Sequence, residues 1–148
     1  MRIPSGFVFA PTKVELLYHY LYPKIMNPGF IFGVPSIREA NIYQCHPQQL
    51  LEGTEEDSAY FFTRITRKGG KASRTVGGYG YWRISTTDSI EEGGAKVGEK
   101  NTLAFYTGFQ SDKKKNKTNW LMQEYSFCKE RNGEEWVVCR IYLKKGKK

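Results

Sequence analysis

The stretch AYFFTRIT, residues 59–66, marks the point where this chain changes from a helical to an extended pattern. Aromatic and β-branched side chains dominate it, which is typical of a β-strand. Similar runs follow, separated by connectors rich in glycine, asparagine and lysine. They are GYWRIST (80–86), TLAFYTGF (102–109), TNWLMQEYSFC (118–128) and EWVVCRIYLK (135–144). Consecutive strands with short connectors predict an antiparallel sheet.

The residues before this stretch predict short helices. In PTKVELLYHYLYPK (11–24), Thr12 and Glu15 have the spacing of a capping box, and Pro23 is expected to end the helix. We expect a further helical turn from Ser36 and another in HPQQLL (46–51). A helix followed by consecutive strands predicts an α+β fold. We expect a single domain over residues 1–148, with a frayed basic tail at 144–148.

The composition is that of a folded globular protein, with 26% charged and 15% aromatic residues in a chain of 148. No apolar run approaches the roughly 18 residues of a membrane span, so we expect no membrane partner. The three cysteines are odd in number and widely spaced, which favours a reduced, intracellular protein.

The sequence offers no pattern for a metal, a cofactor or catalysis. It has no Cys-x-x-Cys, and its histidines, His19 and His46, are not at ligand spacing, so we expect no metal site and no cofactor. No nucleophile stands beside a base in a recognisable motif, and His19 is interpreted as a half-buried structural residue. The chain is therefore not expected to be an enzyme.

Positive charge is concentrated after residue 59. Residues 1–59 hold 4 Lys/Arg and 6 Asp/Glu, whereas residues 60–148 hold 19 and 9, a balance of +10. The 28 residues 60–87 contain no acid at all. A merely solvated face mixes both signs, so this asymmetry favours a polyanionic partner, with nucleic acid first. A second cluster precedes Thr118 and consists of Lys113, Lys114, Lys115 and Lys117.

The stretch GGYGYWRISTTDS (77–89) is the candidate for contacts with nucleic-acid bases. Glycine within a strand pattern marks a bulge or a close backbone approach, so Gly77, Gly78 and Gly80 are interpreted as bringing the strand near its ligand. Arg83 is the best candidate for a base contact, since a β-element can enter the major groove of B-DNA. Trp82 is interpreted as a core residue rather than a platform for unpaired bases.

Five motifs in order resemble those of the plant NAC domain. The first motif resembles the family's opening block, LPPGFRFxPTDEEL, and the second resembles the family's second block. The third, fourth and fifth motifs resemble, in that order, the blocks that contain GYWKATGxD, KTNWxMHEY and WVLCRIFxKK. They are IPSGFVFAPTKVELLYHYL (3–21), IREANIYQCHPQQL (37–50), AYFFTRITRKGGKASRTVGGYGYWRISTTD (59–88), VGEKNTLAFYTGFQSDKKKNKTNWLMQEYSF (97–127) and WVVCRIYLKK (136–145). Together they cover nearly the whole chain, which makes the resemblance specific.

The resemblance implies a nuclear plant transcription factor that binds double-stranded DNA. Its fold is a twisted antiparallel sheet flanked by a few short helices, and the strand edge around residues 82–88 enters the major groove at a CGT-type core. Arg83 stands at the Lys of WKATG, Arg67 and Lys68 match the end of RxRK, and Lys117 matches the Lys of KTNW. The DNA-binding residues implied in this way are Arg67, Lys68, Lys71, Arg74, Arg83, Ser85, Thr86, Lys114 and Lys117.

The resemblance also implies a homo- or heterodimer formed through the N-terminal segment. Val8 replaces the Arg of GFRF, which in the family pairs across the dimer with the residue matching Glu15. The interface residues implied are Ile3, Pro4, Gly6, Phe7, Val8 and Glu15.

Two other functions stay open because the WKATGxDK block reads WRISTTDS here. One is a sheet-based RNA or single-strand binder, which would account for the basic and aromatic content but not for five ordered motifs. The other is a protein-interaction modulator that dimerises with related domains after its own DNA readout has weakened.

Overall fold

The structure, a computed structural model, describes residues 9–29, 37–53, 58–127 and 133–144. Before residue 58 the described residues form short helical turns and one strand, and after it they are almost entirely extended. The strands are β1 (Ile37–Glu39), β2 (Ser58–Lys68), β3 (Lys71–Ala72), β4 (Thr75–Val76), β5 (Gly80–Glu92), β6 (Ala95–Thr107), β7 (Asn116–Phe127) and β8 (Gly133–Leu143).

The strands form one open, twisted sheet in the order β1-β2-β8-β7-β6-β5-β4, with β3 paired to β2. Neighbours β5, β6, β7 and β8 are antiparallel, and β8 returns to pair antiparallel with β2. The predicted α+β class is confirmed. The sheet is mixed because β1 pairs with β2 in parallel.

The N-terminal helix begins with the predicted capping box. Thr12 Oγ1 accepts from the Glu15 amide at 3.1 Å, and Glu15 Oε1 accepts from the Thr12 amide at 2.9 Å. The helix does not end at Pro23: Lys13–Glu15 and Tyr22–Met26 are α-helical, and Leu16–Leu21 between them is a π-helical turn. Proline lacks an N–H and clashes with the carbonyl four residues earlier, and the wider π turn before it relieves that conflict.

The segment after the helix differs from expectation at one point. Residues Ile37–Glu39 form strand β1 instead of the expected helical turn, since they pair with Tyr60, Phe61 and Phe62 of β2. The predicted helical turn in HPQQLL is confirmed as Pro47–Leu50. A 3₁₀ turn, Ile42–Gln44, precedes it. His19 is exposed, contrary to its interpretation as half-buried.

The sheet has a hydrophobic cluster on each face. The first includes Trp82, Phe105 and Met122 and is covered by the segment containing Ile42 and Leu50. The second includes Phe62, Ile90, Tyr125 and Val138 and is covered by Leu16, Leu17 and Leu21 of the N-terminal helix. Trp82 is 1% exposed, which confirms its interpretation as a core residue.

Gly80 is required by the sheet itself. A Cβ there would collide with the carbonyl oxygen of Tyr106 and approach the Phe105 ring to 3.0 Å. Gly77, at φ +46°, forms the turn between β4 and β5. The close approach that the glycines predicted is therefore made to β6, and it fixes where β5 begins.

Candidate nucleic-acid interface

β5 forms an edge of the sheet for most of its length. β4 pairs only with Gly80 and Tyr81, and within the described ranges no strand pairs with the outer side of β5 beyond them. Residues 83–89 are all exposed. An edge strand carries free backbone hydrogen-bonding groups, so this edge is accessible to a ligand.

A β-bulge lies within this edge. The pairing with β6 shifts between Ile84 and Thr86, which makes Ser85 the extra residue. The Ser85 hydroxyl donates to the Thr102 carbonyl at 3.0 Å, which holds the bulge closed. A bulge increases local twist and redirects side chains, so Ser85 and Thr86 do not simply continue the alternation of Arg83 and Ile84.

Arg83 projects from this edge beside a pair of tyrosines. Its guanidinium carbon lies 6.0 Å from the centroid of the Tyr106 ring, at the limit of a cation–π contact. Tyr106 stacks on Tyr81 with centroids 5.4 Å apart and planes 9° apart. The side chain of Arg83 therefore rests on a rigid aromatic surface while its charge stays exposed.

A cleft of about 970 Å³ opens next to Arg83. Its walls are the β3–β4 segment, the start of β5 and the loop between β6 and β7. Lys71, Arg83 and Lys115 supply its exposed cations, and Phe109 and Ile84, 68% and 41% exposed, supply its apolar surface. The cleft thus combines positive charge with apolar groups, as a surface for a phosphate-bearing ligand would.

The remaining predicted lysines lie outside the cleft lining, next to it in sequence or in strand pairing. Lys68 is exposed and pairs across the β2–β3 turn with Lys71. Lys114 is exposed in the β6–β7 loop next to Lys115. Lys117 is exposed on β7, directly opposite Tyr106. The cleft lining therefore joins parts of three separate basic stretches of the sequence, which are the segment after β2, the start of β5 and the β6–β7 loop.

Arg67 lies in the wall of the cleft with its guanidinium turned inward. Only 3% of its side chain is exposed, and Nε donates to Glu135 Oε1 at 2.5 Å. The side chain that was expected to reach DNA is thus occupied by a carboxylate of β8.

Arg74 is turned inward as well, onto Glu124 of β7. Arg74 Nη1 and Nη2 donate to the two carboxylate oxygens at 2.5 and 3.1 Å, and Nη1 also donates to the Tyr43 hydroxyl at 2.9 Å. Burial acts to raise the pKa of Glu124, but Arg74 and a hydrogen bond from Asn101 outweigh it and hold the pKa below its ordinary value. The pair is therefore ionised at neutral pH, and the Arg74 guanidinium is satisfied within the fold.

Of the residues expected at the dimer interface, Glu15 alone is among those that the structure describes. Ile3, Pro4, Gly6, Phe7 and Val8 lie outside the described residues. Glu15 is exposed, and its carboxylate completes the cap on Thr12, whose hydrogen bonds lower the Glu15 pKa. The cap alone gives Glu15 a role within the chain.

Two residues of this region, Glu124 and Phe109, were not singled out from the sequence, and Lys115 was named in the lysine cluster but not among the DNA-binding residues. Glu124 follows a hydrophobic run and looks like an ordinary strand residue, yet it is fully buried. Phe109 and Lys115 line the cleft. The available signals were an apolar side chain in an otherwise polar loop for Phe109 and membership of the lysine cluster for Lys115.

The described residues offer no candidate for a metal site or for a membrane-spanning helix. In residues 9–29, 37–53, 58–127 and 133–144, no group of three or more His, Cys, Asp or Glu side chains could hold a metal ion. No helix of that part of the chain is long and apolar enough to cross a membrane.

Comparison with known proteins gives a consistent family. The family described as "No apical meristem (NAM) protein" matches residues 4–127. The chain is similar to NAC domain-containing protein JA2 of Solanum lycopersicum, at 40% identity over 97% of this chain and 44% of that protein. It is 38% identical to NAC transcription factor 29 of Arabidopsis thaliana, over 97% of this chain and 58% of that protein. The chain spans about half the length of these relatives, and across that span it belongs to the plant NAC transcription factor family.

Proposed function

We propose that this chain binds double-stranded DNA with sequence preference, in the nucleus, as the DNA-binding part of a transcription regulator. In this proposal the edge formed by residues 82–88 of β5 enters the major groove. Arg83 contacts base edges, Ser85 and Thr86 lie beside it, and the exposed lysines contact phosphates. The cations assigned to phosphates are Lys68, Lys71, Lys114, Lys115 and Lys117.

One observation carries the proposal: the free edge of β5 exposes Arg83 next to a cleft lined by Lys71 and Lys115. The major groove is wide enough for a two-stranded β-ribbon, and a guanidinium can bind guanine through two hydrogen bonds. Lysines on phosphates add affinity through counterion release and set the orientation, without reading sequence. The charge and shape of the surface around this cleft therefore favour DNA over a protein partner.

Arg67 and Arg74 have a different role in this proposal. Their guanidinium groups are bonded to Glu135 and Glu124, and breaking a buried pair leaves an uncompensated charge at high cost. We infer that both arginines shape the surface from inside and that neither leaves its carboxylate to contact a phosphate.

Fluorescence anisotropy with two labelled duplexes, one with a CGT-type core and one with that core scrambled, tests the proposal at two salt concentrations. We expect the core to be preferred and both affinities to fall with salt. Equal, salt-sensitive binding would mean that the WRISTTDS strand does not read this core. No binding to either duplex would favour the dimerising modulator instead.

We also propose that the chain dimerises with itself or with related domains, as the resemblance implies. The interface residues are Ile3, Pro4, Gly6, Phe7, Val8 and Glu15. Sedimentation equilibrium over a range of protein concentrations tests this, with a variant lacking residues 1–8 as the comparison. We expect the full chain to associate and the shortened one to remain monomeric. Equal behaviour of the two proteins would place the interface elsewhere.

A further inference from the structure

The exposed segment 83–86 of β5 is held at both of its ends. At its start, the Trp82 amide donates to the carbonyl oxygen of Arg74 at 2.9 Å. At its end, the Thr87 hydroxyl donates to Asn101 Oδ1 at 2.7 Å. The side chains of Arg74 and Asn101 both reach one carboxylate, that of Glu124.

The carboxylate of Glu124 accepts hydrogen bonds from the same two residues, Arg74 and Asn101. Its Oε1 accepts from Asn101 Nδ2 and from Arg74 Nη2, each at 3.1 Å, and its Oε2 accepts from Arg74 Nη1 at 2.5 Å. The Tyr43 hydroxyl lies 3.4 Å from the same Oε2. A hydrogen-bonded network of this kind allows few alternative arrangements of its members.

The Asn101 side chain links the Glu124 carboxylate to β5 through hydrogen bonds. Its Oδ1 accepts from Thr87 while its Nδ2 donates to Glu124. The reversed amide would set its oxygen against a carboxylate and its N–H₂ toward Thr87, so the carboxylate selects one orientation. Thr87 therefore finds an acceptor at a fixed place, one residue beyond Thr86.

We propose that Glu124 is a positioning residue for DNA readout, which acts through Arg74 and through Asn101 and Thr87 to fix where residues 83–86 project. This inference rests on the proposed function. The network stands around the bulge at Ser85, where strand register is easiest to change. Fixing Trp82 before the bulge and Thr87 after it restricts the backbone from which Arg83, Ser85 and Thr86 project.

Stability alone gives a weak reason for this network. The Glu124 carboxylate and the Arg74 guanidinium are buried in a protein whose core is mostly apolar. One of its hydrophobic clusters includes Trp82, Phe105 and Met122. Replacing a buried ion pair by apolar side chains of similar volume is often neutral or stabilising. A positional role gives the charges a purpose that apolar residues could not fulfil, since they would not fix the Thr87 hydroxyl.

The variant Thr87→Val tests the inference because it removes one hydroxyl from an exposed residue and keeps the side-chain shape. Affinities for the CGT-type duplex and its scrambled counterpart are measured by anisotropy across a salt series, alongside the melting temperature. We expect the ratio of the two affinities to fall by about three- to tenfold, the range that one hydrogen bond covers. The melting temperature and the salt dependence should stay close to those of the unmodified protein.

A matched control is Thr66→Val, an exposed threonine of β2, which lies four places from β5 in the strand order. It should leave the affinity ratio unchanged. Amide hydrogen exchange gives a second readout: in Thr87→Val, exchange should accelerate at residues 83–86 and not in β2. A role confined to stability would instead lower the melting temperature and weaken both duplexes equally.

The outcomes separate the inference from the proposed function. If the unmodified chain discriminates the duplexes and Thr87→Val discriminates equally well, the positioning role is overturned and the proposed function stands. If the unmodified chain does not discriminate them, direct readout by β5 fails and the positioning role fails with it. A second variant, Glu124→Gln, checked for folding by circular dichroism, should lose discrimination at least as strongly as Thr87→Val.

Discussion

Arg74 and Arg83 belong to the same acid-free stretch, yet the fold treats them oppositely. Arg74 is 7% exposed and bonded to both oxygens of Glu124, whereas Arg83 is exposed and rests over the Tyr106 ring. The stretch itself cannot separate them because it contains no acid that could pair with either one. The partner that encloses Arg74 comes from β7, 50 residues later. Charge density predicts where a polyanion could bind, but long-range pairing decides which cations remain available to it.

The largest expected effect is on stability, and it should come from removing the Glu124 carboxylate that pairs with the buried Arg74. Glu124→Ala leaves the Arg74 guanidinium buried without a partner, and we expect the free energy of unfolding to fall by about 3–5 kcal/mol. Urea denaturation followed by circular dichroism measures it. The control is Glu134→Ala, whose exposed pair with Arg64 at 3.6 Å should contribute about 1 kcal/mol or less. Similar small losses in both variants would mean that Arg74 is not dependent on Glu124.

Acid should weaken the same region in a predictable window. The pKa of Glu124 is lower in the folded than in the unfolded protein, so its stabilising contribution is complete above the unfolded value and is lost as pH falls through the folded one. We expect the difference in unfolding free energy between the unmodified chain and Glu124→Gln to be constant from about pH 7 to about pH 5.5 and to shrink below about pH 4.5. Glu15 is present in both proteins, so its own lowered pKa cancels. A difference that is the same at about pH 3.5 as at neutral pH would contradict the proposed ionisation.

Features with a local sequence pattern could be predicted, whereas those set by contacts distant in sequence could not. The capping box of Thr12 and Glu15 and the long strands of the sheet each leave a local pattern in the sequence, and they were predicted. Ile37–Glu39 looked like the start of a helix and became a strand because β2 offers it a parallel partner. Pro23 did not end its helix because a π turn accommodates it. Each difference arises where an interaction distant in sequence, or a backbone adjustment, outweighs local preference.

The candidate site divides in the same way. Arg83 and the lysine cluster could be recognised from their residue types, and their exposure is set by a strand edge and a loop. The inward turn of Arg67 and Arg74 required knowing that Glu135 and Glu124 lie opposite them, on strands far along the chain. The bulge at Ser85 required the register of β5 against β6. These facts depend on strand order, which residue spacing does not contain.

For the exposed Arg83, substitution by alanine should reduce the discrimination between the two duplexes rather than the stability of the fold. We expect a loss of about 1–3 kcal/mol on the CGT-type duplex and much less on the scrambled one. Arg83→Lys should retain affinity and lose discrimination, because an ammonium cannot form the two parallel hydrogen bonds of a guanidinium. Arg64→Ala, an exposed arginine of the same stretch on β2, is the control and should change neither affinity. Equal weakening of both duplexes by Arg83→Ala would make Arg83 a phosphate contact.

The smallest effect should be that of Lys117→Ala, which lies across from Tyr106 on the same exposed surface as Arg83. A lysine on a phosphate releases counterions irrespective of sequence, so both duplexes should weaken alike. The slope of log affinity against log salt should fall by about one unit. Lys96→Ala is the matched control, since Lys96 is exposed on β6 but lies opposite Glu91 and 3.9 Å from Glu99. If the two lysine variants changed the slope equally, the exposed cations would contribute through net charge alone, and the DNA surface could not be confined to the surroundings of the cleft.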